Sequence, residues 1–241
     1  MLYREFLGMM HERLAPRTYL EIGVQQGHSL ALSRCPSIGI DPWSTVNQEL
    51  NAPSSLIGST SDEYFARLAR DRTTPFGALP IDFAFIDGMH HFEFALRDFI
   101  GVERYSAPSS VVAFDDVLPR NVDEAARERH TEEWTGDVFR IQFALAAYRP
   151  DLVQIQVATE PTGTLLVVGL DPANRVLVDE LDEIVDAYVM PDPQKLPAEI
   201  VGRTMALAPE KALGLTIWDD LREARRESTV AAGGHTPQSA R

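Results

Sequence analysis

Asp87, His90, Asp115 and Asp116 lie close together in one stretch of this chain, and the acids among them close apolar runs. The stretch reads IDFAFIDGMHHFEFALRDF from Ile81, then VVAFDDVLP after a short polar break. Asp87 ends the first run; Asp115 and Asp116 end the second. Carboxylates of like charge do not gather without a cation or a shared proton to offset them. Three such acids brought to one point therefore imply either a bound cation or a retained proton. A histidine three residues beyond the first acid is a candidate base, since its ordinary pKa lies near neutral pH.

Whether these groups meet depends on the elements between them. Phe92, Ala95, Leu96, Phe99 and Ile100 recur at helical spacing, so the stretch predicts a strand, a helix and a second strand. A right-handed crossover of that kind brings both strand ends to one edge of a parallel sheet. Open α/β sheets bind their ligands at that edge. Each residue also has a plainer reading. Asp87 suits the N-cap of the following helix, one of Asp115 and Asp116 could be an ordinary loop acid, and His91 competes with His90 as the base.

The flanking sequence predicts the rest of the scaffold. Residues 2–14 read as an amphipathic helix with Leu2, Phe6, Leu7, Met10 and Leu14 on one side. TYLEIGV (18–24), SIGID (37–41) and SSLIGSTS (54–61) read as strands with their loops. SLALSR (29–34) opens a helix, and DEYFARLARD forms another. A helix is expected near 138–149, then strands at 152–159 and 162–170 joined by Glu160, Pro161, Thr162 and Gly163. So short a connection fits an antiparallel hairpin and no further crossover. The fold class is therefore α/β: a Rossmann-like doubly wound sheet, mostly parallel, with a C-terminal antiparallel hairpin. Residues 176–188 read as a helix whose acidic face is solvated surface. The expected division is an N-terminal helix (1–17), the α/β domain (18–190), a helical extension (191–227) and a disordered tail (228–241).

Composition excludes several partners. The 241 residues carry 36 acids against 22 bases, a formal net charge of −14. That balance argues against a nucleic-acid backbone or an anionic membrane as partner. The one cysteine, Cys35, rules out a disulfide framework or thiolate cluster within one chain. The N-terminus lacks a signal-peptide core and no run is long enough to cross a bilayer, so a cytoplasmic protein is expected. The N-terminal helix and the C-terminal extension are candidate elements for pairing subunits in a homo-oligomer.

The first strand runs into Glu21-Ile22-Gly23-Val24-Gln25-Gln26-Gly27-His28-Ser29. Glycines there permit a tight turn and a close approach of backbone N–H groups to a ligand. The spacing is neither the dinucleotide fingerprint nor a P-loop. Asp41 ends the second strand on the same edge, where an acid commonly accepts hydrogen bonds from ribose hydroxyls. Together these features imply a nucleoside-bearing cofactor, either NAD-like or S-adenosylmethionine. The missing fingerprint and the terminal hairpin favour the latter.

The runs EIGVQQGHS, IDPW, GSTSD, FIDGMH and FDDV resemble the class I S-adenosylmethionine-dependent methyltransferases. Within them they are most similar to the divalent-metal-dependent O-methyltransferases, of the catechol type and of the type that modifies natural-product sugars. The resemblance spans about residues 18–120, with 152–170 matching the last two strands of that fold. It implies that Glu21, Gly23, Gly27 and Ser29 hold the methionine portion of the cofactor and that Asp41 takes the ribose. Thr60 and Ser61 would then sit near the adenine. Asp87 would border the cofactor and, with Asp115 and Asp116, hold Mg²⁺ or another divalent cation, with His90 as base. Catechol-type enzymes carry Asn at the third ligand position and lysine as base, so Asp116 and His90 lean toward the sugar-modifying relatives.

The activity implied is methyl transfer to a hydroxyl of a small molecule, a sugar-bearing or vicinal-diol natural product. A metal-independent small-molecule methyltransferase, an NAD(P)-dependent oxidoreductase and a non-catalytic cofactor-binding scaffold are the alternatives. His11, His28, His130 and His235 read as structural or solvent-facing. Trp43, Trp134 and Trp218 read as packing residues, with Trp134 in a segment able to cover the substrate.

Overall fold

The computed structural model describes residues 1–233. Its elements are α1 (Tyr3–Leu14), β1 (Tyr19–Ile22), β2 (Ser37–Ile40), β3 (Ser54–Ile57), α2 (Ser61–Asp71), β4 (Ile81–Ile86), α3 (Phe92–Glu103) and β5 (Ser106–Phe114). There follow α4 (Ile141–Tyr148), β6 (Val153–Val157), β7 (Thr164–Val168), α5 (Val176–Asp179), α6 (Leu181–Tyr188), α7 (Ala198–Val201), α8 (Pro209–Leu213) and α9 (Ile217–Gly233). The seven strands lie in the order β3-β2-β1-β4-β5-β7-β6. Six strands, β1 to β6, run in one direction, and β7 alone is reversed, antiparallel to both β5 and β6. The doubly wound sheet and its terminal hairpin are as expected from the sequence.

Hydrophobic continuity explains the central strands. All six residues of β4 are buried, as expected of a parallel strand covered on both faces. Even Asp82 within it is buried, and Arg17 satisfies it through Nε at 2.7 Å and Nη2 at 2.8 Å. One face carries α2, α3, α4 and α6 over Leu20, Ile86, Val112 and Phe114. On the other, α1, α8 and α9 cover Phe83, Phe85, Val111 and Leu166. The apolar side of α1 supplies Phe6, Leu7, Met10 and Leu14, while Leu2 stays 52% exposed.

The structure departs from the expected elements in four places. The helix expected at 29–34 is a single 3-10 turn, Leu30–Leu32. Pro36 disfavours a helical Cys35, and the Ser37 hydroxyl donates to the Cys35 carbonyl at 2.8 Å, steering the chain at once into β2. The segment 176–188 is split at Glu180 into α5 and α6; its acids Asp179, Glu180, Asp182, Glu183 and Asp186 are solvent-exposed as expected. Within the extension expected to be helical, 191–227, the proline-rich stretch gives way to two short helices, α7 and α8, rather than one continuous element. Finally, α9 runs on to Gly233, six residues into the segment read as tail, and 234–241 lie outside the described residues.

Register places the chemistry. Ile40 pairs with Ile22, Ile22 with Ile86, and Ile86 with Phe114. These four residues form one line across the sheet at the C-terminal ends of their strands. The next residues along the chain are Asp41, Gly23, Asp87 and Asp115.

A buried ion pair holds α3 and α4 behind this line. Arg149, 1% exposed, donates from Nη1 to both oxygens of Glu103 at 2.8 and 2.7 Å, and from Nη2 to Asp151 at 2.7 Å. Removing one member of such a pair leaves a buried charge uncompensated and costs about 3 kcal/mol or more. Arg149→Met should therefore lower the urea unfolding free energy by about that amount. A change within experimental error would show that the pair contributes little.

Candidate active site

The glycine turn is shaped by its neighbour across the sheet. Gly23 has φ of +90°, and a Cβ there would stand 1.8 Å from the carbonyl oxygen of Asp87. No side chain fits, so the loops after β1 and β4 touch backbone to backbone. Asp41 closes the turn from the other side. Its carboxylate accepts from the Gln25 and Trp43 N–H groups, each at 2.7 Å. Each oxygen keeps a free lone-pair direction for a further donor.

The remaining cofactor candidates are engaged elsewhere. Glu21 is fully buried and accepts from the Tyr19 hydroxyl at 2.6 Å and from Ser29 Oγ at 2.8 Å. Burial raises its carboxyl to about 8, against those two hydrogen bonds, so it keeps its proton at neutral pH. Gly27, at φ of +81°, lies against Val46. Thr60 caps α2, accepting from Glu63 N at 3.2 Å. Ser61 donates a short hydrogen bond to Asp98.

The acids form a tighter group. Ligand atoms of Asp87, His90 and Asp116 all lie within 4.8 Å of one another. His90 Nε2 is 3.4 Å from Asp87 Oδ1, and His90 Nδ1 is 3.2 Å from Asp116 Oδ2. Asp115 lines the same small cavity, with Gly88, Met89, Ala95 and Val138. It stands outside the 4.8 Å group, and its buried Oδ1 has no hydrogen-bond partner. Asp116 adopts φ of +63°, a left-handed conformation that Asp tolerates better than most residues. There its Oδ1 accepts from Thr162 Oγ1 at 2.5 Å, a contact supplied by the β6–β7 turn.

Electrostatics shows the strain of this grouping. Burial, then the charges of Asp116 and Asp87, push Asp115 well above the usual carboxylate range. Burial raises Asp116 to about 6, although His90 opposes the shift. For His90, burial disfavours the charge, but Asp116 and Asp87 outweigh it and lift the imidazole to about 9. With no other cation beside it, the cluster thus holds an imidazolium at neutral pH. A divalent cation fits the donor set: three carboxylates, one oxygen of them orphaned, against a single positive charge.

The segment after β5 closes the site. Trp134 stacks on His90, with ring centroids 4.9 Å apart and planes at 15°. Its carbonyl accepts from His90 Nδ1 at 2.6 Å, which makes Nδ1 the protonated nitrogen of a neutral ring and leaves Nε2 as the basic one. Gly136, at φ of +55°, lets the segment pass against the His90 carbonyl, where a Cβ would come to 1.6 Å. Arg127 pins the segment to α3, donating to Glu93 at 2.6 Å and to Asp137 at 2.5 Å.

Several readings of individual residues change. Asp87 does not cap α3; the N–H of Phe92 donates instead to Asp137 at 2.7 Å. The longer loop after β4 leaves Asp87 out of reach of that role. His91 is turned to the Arg127 carbonyl at 2.9 Å. Trp43 does not pack: it is 85% exposed beside Asp41, whose carboxylate accepts from its N–H. Trp218 is buried as expected. His11 is buried between Tyr19 and Phe83, His28 and His130 face solvent, and His235 lies outside the described residues. Thr162, Asp137 and Arg127 escaped the sequence reading, because their partners lie 46, 45 and 34 positions away in the chain.

Comparison with known proteins agrees with the fold. Residues 20–117 match a family model described as a methyltransferase domain. No curated protein is matched. The O-methyltransferase TomG from Streptomyces achromogenes, solved with S-adenosylmethionine, is 19% identical. It aligns over 70% of this chain and 80% of its own, with a TM-score of 0.50. The methyltransferase PaMTH1 from Podospora anserina, solved with S-adenosylhomocysteine, is 11% identical over 70% of this chain and 78% of its own, also with a TM-score of 0.50. At such identities the likeness is one of fold.

Asp98 offers a test of the Ser61 contact. Burial drives its carboxyl up to about 7, against the hydrogen bond from Ser61. The folded state therefore holds this proton above the pH at which the unfolded chain releases it. Stability falls as pH rises from about 4 to about 7 and then levels off. Asp98→Asn should flatten the melting temperature across that window and raise it at pH 8. An unchanged profile would contradict the assignment.

Proposed function

We propose that this chain, whose residues 20–117 match a methyltransferase-domain model on a class I fold, methylates a hydroxyl oxygen of a small molecule. S-adenosylmethionine is the donor in this reading, and a divalent cation, Mg²⁺ in the first instance, assists. The observation that carries it is the cluster of Asp87, His90 and Asp116 with the orphaned Asp115 oxygen, directly beside the glycine turn.

The work is divided among named residues. Gly23 and Gly27 keep the turn free of side chains, which leaves room for the methionine portion of the donor. Asp41, two of whose lone pairs are free, accepts from the ribose hydroxyls. Glu21 and Ser29 bond each other and act on the donor through the shape of the turn. Thr60 and Ser61 border the adenine side. Asp87, Asp115 and Asp116 hold the cation, which when bound supplies a positive charge that lowers the pKa of an acceptor hydroxyl.

His90 takes the proton. In its neutral form the Trp134 carbonyl holds Nδ1–H, and Nε2 is the acceptor. Its pKa of about 9 reflects uncompensated acids; positive charge at Asp87 and Asp116 lowers it and frees the base at neutral pH. Stacking by Trp134 fixes the plane of the ring and keeps water from that face. Such a base contributes roughly 10²–10⁴-fold to the rate.

The test is a chelator titration with S-adenosylhomocysteine formation as the readout. Removing divalent cations with EDTA should abolish turnover and Mg²⁺ should restore it. His90→Ala should lower kcat by about 10²-fold or more while leaving S-adenosylhomocysteine affinity, measured by calorimetry, unchanged. Full activity in EDTA would sink the metal assignment and favour a metal-independent methyltransferase.

A further inference from the structure

The N-terminal helix reaches the site. α1 runs antiparallel to β4 on one face of the sheet, so His11 packs on Phe83 with ring centroids 5.0 Å apart. Eight residues earlier, Tyr3 stacks on Phe85 at 6.2 Å with planes at 22°. Eight helical residues rise about 12 Å, enough to carry the start of α1 toward the strand end where Asp87 stands.

The start of the chain is sewn to that edge. Tyr3 N donates to the Glu160 carbonyl at 2.9 Å, and Glu160 N donates to the Met1 carbonyl at 2.9 Å. Glu160 belongs to the β6–β7 turn, whose Thr162 holds Asp116. Met1, Tyr3, the hairpin turn and the acid cluster therefore form one connected unit. Among the described residues the phenol oxygen of Tyr3 has no hydrogen-bond partner. Burial, then the charges of Asp87 and Asp115, keep that phenol above its ordinary pKa, so it is a donor throughout the working pH range.

We propose that Tyr3 is an acceptor-positioning residue: its ring forms a wall of the acceptor site opposite Trp134, and its hydroxyl donates a hydrogen bond to the acceptor. The acceptor that fits is a small molecule with two adjacent oxygens, one presented to the acids and His90 and the other to the phenol. This inference rests on the proposed function for the acid cluster.

The test uses the full chain with saturating Mg²⁺ and S-adenosylhomocysteine, and 4-nitrocatechol as a chromogenic vicinal-diol probe whose absorbance reports binding. Tyr3→Phe keeps the ring and removes the donor; Tyr3→Leu removes both. Probe affinity should fall about tenfold in Tyr3→Phe, the loss of one hydrogen bond of about 1.4 kcal/mol, and further in Tyr3→Leu. S-adenosylhomocysteine affinity and the melting temperature should stay at wild-type values in Tyr3→Phe. Wild-type probe affinity in Tyr3→Phe overturns the proposal, as does an equal loss of S-adenosylhomocysteine affinity, which would mark a structural role. If turnover is Mg²⁺-dependent and Tyr3→Phe is silent, only the role of Tyr3 falls. A wild-type protein that shows no Mg²⁺-dependent probe binding removes the function of the acid cluster and this inference together.

Discussion

Parallel pairing in register brings Ile40, Ile22, Ile86 and Phe114 into one line, and the chemistry of this protein depends on the residues just beyond that line. Strand ends cannot shift singly, because a one-residue slip would turn buried side chains to the wrong face. Asp41, Gly23, Asp87 and Asp115 are thus held at fixed spacing by the sheet's hydrogen bonds and by the two cores that clamp it. The close approach of Gly23 to the Asp87 carbonyl is a direct consequence, and it joins the glycine turn to the acid cluster without an intervening side chain.

Electrostatics explains why this edge is so heavily enclosed. Carboxylates exposed to water need no partner, but Asp115 and Asp116 are buried. Burial raises both, and the imidazolium of His90 answers only part of their charge. The Trp134 segment, pinned through Arg127 to Glu93 and Asp137, keeps water from relieving the rest. A site under this tension is prepared for positive charge, whether as a proton on His90 or as a divalent cation. Stability and chemistry are opposed here, as is common where buried titratable groups meet in a cleft.

Much of the fold could be read from the residues. Largely apolar runs marked β4 and the end of β5, helical spacing marked α1 and α3, and a four-residue connection marked the hairpin. Where the reading failed, the cause was local competition. Pro36 cut the expected helix at 29–34 to one turn, and Glu180 divides α5 from α6. Of the site, the acids and His90 were visible because they lie at or just past strand ends. The supports Thr162 and Asp137 were not, because they reach the site across turns and loops with no periodicity to betray the contact.

Residue types and spacing by themselves determined the sheet's parallel core, its antiparallel close and the identity of the acids at its edge. Alternation and helical spacing are short-range signals, and strand order follows from the handedness of crossovers. The tertiary structure decided which acid is bonded and which orphaned, which histidine faces the cluster, and that the first turn of α1 carries Tyr3 toward it. Those outcomes depend on distances between segments far apart in the chain, set by packing of whole helices on the sheet. No local pattern of side chains encodes them.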